Sequence, residues 1–170
     1  MLDLKELDSA LNDFAKRVVS RSRANLTREK KNVFGELYDS LGYDLNASRN
    51  SFSLSFSMAD YGVFQDKGVS GTENKYNTPF SFKGKQPPSE PLSKWAKARN
   101  IRLRDDKGRF QKGNYKTIGF LIARSIKKKG IRPSLFFTKP FESAFKDLPS
   151  DLTEAFALDI DNFLEFTTKK

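Results

Sequence analysis

The sequence contains no cysteine and no histidine. The first absence excludes disulfides, thiolate metal sites and thiol nucleophiles, and the second removes imidazole as a ligand or proton carrier. Carboxylates and carbonyls are the only side-chain and backbone groups left to hold a metal. Serine catalysis would have only lysine as its base. No enzymatic activity and no cofactor are expected. Tryptophan occurs once, against 16 phenylalanines, so the core should be built on a side chain that buries a large area without needing a polar partner. A long apolar run is also missing. The opening "MLDLKELDSALNDF" interleaves acids with its apolar residues, and reads as neither a secretory signal nor a membrane span.

Charge is plentiful and segregated. The 170 residues carry a formal +10, yet Lys83 to Arg132 alone holds sixteen Lys or Arg against three acids, Glu90, Asp105 and Asp106. That excess is larger than the net charge of the whole chain. From Glu142 to Phe166 the sign reverses, with seven acids and one lysine. Such polarity steers a molecule toward an anionic partner or joins copies of it head to tail, while a solvated surface is the plain alternative for any single run. A mean hydropathy of −0.63 is low for a globular chain, and points to long solvated loops or to surfaces covered on assembly.

The length suits one domain spanning 1–170. Leu4, Leu7, Leu11, Phe14 and Val18 recur at helical spacing, so an amphipathic helix is expected over about Asp3 to Arg23. A second is expected from Thr27 to Leu41, stopped by Gly42, which completes an N-terminal helical region 1–42. In "SFSLSFSM" the period changes to two. Residues 50–67 are read as strands, turning at Ala59 and Asp60 into Tyr61 to Gln65. Long loops are expected over 68–91 and 102–115, separated by a helix near "PLSKWAKARN". Over 116–166, a helix should run from Lys116 to Lys129 with Ile118, Leu121, Ile122, Ser125 and Ile126 buried. A short strand near Leu135 to Phe137 and a last helix from about Asp151 to Phe166 should follow. The class is α+β, a small antiparallel sheet packed against several helices.

Few motifs suggest chemistry. "GKQPPS" lacks the glycine spacing and the helix-opening Lys-Ser/Thr of a phosphate loop. Asp105 and Asp106 bring no third or fourth ligand with them. The basic stretches offer more. In "RSIKKKG" the residues Lys127, Lys128 and Lys129, with Arg132 beyond, suit either a helix C-terminus or contact with phosphates. "RLRDDKGRFQKGNYK" places Arg102, Arg104 and Arg109 near Phe110 and Tyr115, a set able to neutralise phosphate and stack on bases. That segment also suits a flexible arm ordered by a protein partner.

In their order, "YGVFQDKG", "LSKWAKARNI", "IGFLIARSIKKKGIRPSLFF" and "PFESAF" resemble the neck and tail-completion proteins of long-tailed bacteriophages, also called minor tail or virion morphogenesis proteins. The family's pattern falls here on Trp95, Lys129, Gly130, Ile131, Pro133, Phe136, Phe137 and Phe141, and the likeness spans about Phe52 to Leu164. Here Gly68 is followed by Val69, where the family commonly has threonine. The resemblance implies a non-enzymatic virion subunit, assembled in the host cytoplasm and placed at the neck or head-proximal tail end. It would form a ring with itself and dock on portal or adaptor, or on tail terminator and tail tube proteins, with no membrane. Contact with passing DNA would be non-specific. Lys127, Lys128, Lys129, Arg132, Phe136, Phe137, Arg102, Arg104 and Arg109 are the candidate interaction residues. A sequence-independent DNA-binding accessory protein using residues 83–132 is the alternative.

Overall fold

A computed structural model describes residues 4–31, 33–48, 51–111 and 113–168. The architecture is α+β. Among the described residues, seven helices accompany one two-stranded antiparallel sheet. The chain divides into two compact units, Met1–Ala59 with Phe136–Lys170, and Asp60–Leu135.

The first unit is built on α1 (Lys5–Arg28), which packs against α6 (Thr138–Phe145), α7 (Leu148–Thr168) and the sheet. Helix α1 is longer than its periodicity predicts, because "ANLT" stays helical around the fully buried Leu26. It ends when Lys30 adopts a left-handed φ of 54°. The N–H of Lys31 then donates to the Leu26 carbonyl and that of Lys30 to the Thr27 carbonyl, both at 3.0 Å, a Schellman closure made without glycine. The helix expected over 27–41 is therefore only the short α2 (Glu36–Ser40), entered through the left-handed Gly35. Arg23 secures it by donating to the carbonyls of Tyr38 and Leu41 at 3.1 and 2.8 Å.

Gly42 does not stop a helix but opens β1 (Gly42–Ser48), which pairs with β2 (Ser51–Ser57). The register sets Tyr43 opposite Phe56 and Leu45 opposite Leu54, so the serines of β2 take the solvent side. This pairing corrects the strand expected at Tyr61 to Gln65: β2 has its partner before it in sequence, and Gly62–Lys67 folds instead as helix α3. The short strand near Leu135 is replaced by a left-handed turn, φ 54° at Leu135. That turn delivers Phe136 into a core with Leu26, Leu37 and Leu41. Phe14, Phe56, Phe137 and Phe141 meet mostly edge-on, with centroids 5.4–6.2 Å apart. Each such pair contributes about 0.5–1.5 kcal/mol beyond the area it buries.

Helix α7 begins at Leu148, three residues earlier than expected. Its Asp159, 2% exposed, accepts hydrogen bonds from the N–H groups of Glu6 and Leu7 at Oδ1 and Oδ2, each at 3.0 Å. Leu4 precedes α1 and supplies no side-chain cap, so the helix takes its capping carboxylate from the far end of the chain.

The second unit has a different construction. Helices α4 (Ser89–Ala98) and α5 (Tyr115–Lys129) form its most extensive packing, and they approach closely at Gly119. A Cβ there would lie 2.6 Å from the Ser89 carbonyl oxygen and 2.8 Å from the Ser93 nitrogen. Ala96 and Ala123 are fully buried at the same seam. Gly119 and Ala123, with Ile118 beside them, thus form the inner face of α5. Leu121 and Ser125, expected to be buried, lie outside.

Replacing Asp159 with Ala should lower the urea-unfolding stability of the full chain by about 0.5–2 kcal/mol, because two partly buried N–H groups lose their capping acceptor. Amide exchange should quicken first at Glu6 and Leu7. Unchanged stability would show that water replaces the carboxylate at no cost.

Candidate interaction site

The glycine-rich turn "GVSG" and the basic turn "KKKGIRP" lie about sixty residues apart in sequence and meet in space. Val69 and Ile131 form an antiparallel bridge, N–H to carbonyl in both directions at 2.9 and 2.8 Å. Ser70 continues the pairing on its other side, accepting from the Phe82 N–H at 2.9 Å and donating to the Phe80 carbonyl at 2.8 Å. Gly71 sits so close to α5 that a Cβ would fall 2.1 Å from the Lys128 carbonyl oxygen and 2.4 Å from the Gly130 nitrogen. Backbone packs directly on backbone here, and only glycine fits.

This junction separates the two roles open to the lysine run. The end of α5 is capped by other groups: Gly130, at φ 74°, donates to the Ile126 carbonyl, Thr72 to that of Lys127, and Glu73 and Asn74 to that of Lys128. The ammonium groups are not needed for that task. Lys128 pairs with Glu73 at 2.8 Å, both half-exposed, a contact worth little at such a surface. Lys127 is partly buried, while Lys129, the last residue of α5, and Arg132 on the turn that follows are exposed.

The basic segment after α4 is not a loose arm. Leu103 to Gln111 folds back on itself, with a bridge between Arg104 and Phe110 and the Gln111 N–H donating to the Leu103 carbonyl at 2.9 Å. Asp105 organises the bend. Its Oδ1 accepts from the N–H groups of Lys107 and Arg109 at 3.0 and 2.8 Å, and its Oδ2 from Arg109 Nε at 2.9 Å. The Arg109 N–H, aided by the guanidinium and the Lys107 N–H, holds this carboxyl below its ordinary range despite some desolvation. Arg109 is therefore engaged within the turn. Arg102 and Arg104 instead approach the Phe110 ring, with guanidinium carbons 5.7 and 4.4 Å from its centroid, and Phe110 is 62% exposed.

The candidate residues thus fall into three places. Lys127, Lys128, Lys129 and Arg132 surround the end of α5, and Arg102, Arg104 and Arg109 belong to the folded-back turn. Phe136 and Phe137 lie in the core of the other compact unit. Phe136 is 0% exposed and has no surface to offer a partner. Phe137 is partly buried in the aromatic cluster.

A feature not anticipated from sequence is a groove of about 670 Å³ lined by Tyr61, Phe64, Val69, Phe80, Pro87 and Pro88. Its residues are scattered from the segment expected as a strand, Tyr61 and Phe64, into the one that reads as polar loop, and they converge where Ser70 holds Phe80 and Phe82 beside it. Among the described residues, no group of three or more acids could hold a metal ion. No described helix is long and apolar enough to cross a membrane. No family model, no curated protein and no solved structure matches the chain.

Two measurements probe this geometry. Gly71→Ala should destabilise the Asp60–Leu135 unit by roughly 1–3 kcal/mol in denaturant, as overpacked sites do. Gly84→Ala, where a Cβ meets nothing within 4 Å, should stay within about 0.5 kcal/mol of wild type. Equal effects at both positions would contradict the close approach. Because Asp105 titrates lower in the folded turn than unfolded, its contribution is complete above the ordinary aspartate range and is lost as pH falls through the depressed value. Protection of the Arg109 amide should fade over that acidic window in the wild type and be weak at every pH in Asp105→Ala.

Proposed function

We propose that this protein is a non-enzymatic virion structural protein of the head–tail connection of a long-tailed bacteriophage, a neck or tail-completion ring subunit that acts by oligomerising and docking. The observation that carries this reading is the meeting of two of the resemblance segments. "YGVFQDKG" runs through α3 into Val69, which pairs with Ile131 of "KKKGIRP". Two segments of that pattern, far apart in order, are thus physically one junction. It holds a basic helix end and a glycine-locked loop in fixed relation, as a subunit whose task is to present surfaces requires. Docking on a portal, adaptor, terminator or tube protein would use such surfaces. The basic turns would meet passing DNA through its phosphates alone, independent of sequence.

Peptide mass spectrometry of purified virions, scaled against the portal protein, tests the reading. A ring-like copy number is expected, and absence from intact particles would overturn it. Reversing the charge at Lys127 and Lys129, with the Glu73-paired Lys128 left in place, should spare folding and lower particle yield or infectivity.

The Arg102–Phe110–Arg104 stack favours a second reading, a sequence-independent DNA-binding accessory protein. An exposed ring with two guanidiniums close to it suits a base stacked over a neutralised backbone. Affinity for a random duplex that falls steeply with salt, without any protein partner and with loss on Phe110→Ala, would favour this reading over the first.

A further inference from the structure

Two helices carry more apolar surface than their own neighbours cover. On α7, Leu152, Ala155, Asp159 and Phe163 form the inner stripe, buried or partly so. The adjoining stripe, Phe156, Ile160 and Leu164 at four-residue spacing, is 44%, 37% and 52% exposed. Beyond it around the helix stand Glu154, Asp161 and Glu165, all exposed. The apolar arc is about twice as wide as packing on one side requires. On α5 the close approach at Gly119 admits only small side chains at that point; Ile118 is buried, but Phe120 and Leu121 face outward, 48% and 42% exposed. Arg124 and Lys128 share that outer face, one and two turns further along.

One surface is therefore apolar and acidic, the other apolar and basic. Pairing two α7 stripes would set carboxylates against carboxylates, and pairing two α5 faces would set cations against cations, each opposed by like charge. The favourable combination is α7 with α5. We infer that the Phe156–Ile160–Leu164 stripe of one copy seats on the Phe120–Leu121–Arg124 face of the next, a heterologous contact that leaves each copy one face of each kind to continue the series. It rests on the ring-subunit reading for its setting and names the surfaces that such a ring would use.

The test is complementation between single variants of the full chain. Sedimentation velocity should show wild type assembling beyond the monomer and dissociating as salt rises. Phe120→Asp and Ile160→Asp, with unchanged circular dichroism, should each weaken self-association by roughly tenfold or more, as truncated interface anchors do. An equimolar mixture of the two retains one intact α7 stripe and one intact α5 face, and should form a 1:1 dimer that grows no further. Leu121→Asp with Phe156→Asp is the second pair, should either first variant misfold. A monomeric wild type, a variant that assembles like wild type, or a mixture that gains no dimer would overturn the proposal. A face reserved for DNA would give the last of these. If virions contain the protein and the mixture fails, only this pairing falls; if the dimer forms and virions lack the protein, the ring-subunit reading falls and the contact stands.

Discussion

The close backbone contact between Gly71 and the Lys128–Gly130 turn is the constraint on which the second unit depends. Few large apolar side chains are buried between Asp60 and Leu135; Val69 and Ile118 are the bulkiest of them, beside Ala96 and Ala123. Order there comes from backbone groups satisfied in register and from helices able to approach through glycine and alanine. Removing side-chain volume at these points lets hydrogen bonds form where a Cβ would hold the chains apart. The polar loop after α3 is thereby a fixed part of the unit. The first unit follows the opposite rule, with phenylalanine rings filling the space between α1, α6 and the sheet.

This contrast decided how much of the fold was legible in the sequence. Where burial follows a strict period, as in α1 or in the Phe52–Leu54–Phe56 alternation, the reading and the structure agree. β1 was missed because Gly42, Asp44 and Asn46 dilute the alternation of Tyr43 and Leu45, and because Gly42 reads more readily as a helix stop. On α5 the expectation holds at Ile118, which is buried, and differs at Leu121 and Ser125, because hydrophobicity alone does not mark burial there. At Gly119 and Ala123 smallness is the sign, and the larger Leu121 is turned outward.

The candidate site was legible in part and for a similar reason. Clustered charge located the lysine turn and the Arg102 to Arg109 segment, since electrostatic patterning survives in the order of residues. It could not show that Asp105 folds the second into a self-supporting turn, or that the carbonyls of α5 are capped by Thr72, Glu73 and Asn74. Phe136 was drawn into the candidate set by its place in the resemblance, yet the left-handed turn at Leu135 aims it inward. Asp159 carried no signal, because a carboxylate that caps a helix some 150 residues away looks in sequence like any other acid on an amphipathic helix.

That distant cap has a bearing on synthesis. Residues 60–135 are an insertion in the sequence of the first unit, so they leave the ribosome complete while α6 and α7 are still to be made. The second unit has all its own parts at that stage. Helix α1, made first, waits with its leading N–H groups open to water and much of its apolar face without a partner until Asp159 emerges. Completion of the first unit is thus tied to synthesis of α7, and a product truncated before it would keep the sheet and α6 on α1 but leave uncovered the strip that α7 occupies, offering it to chaperones and proteases.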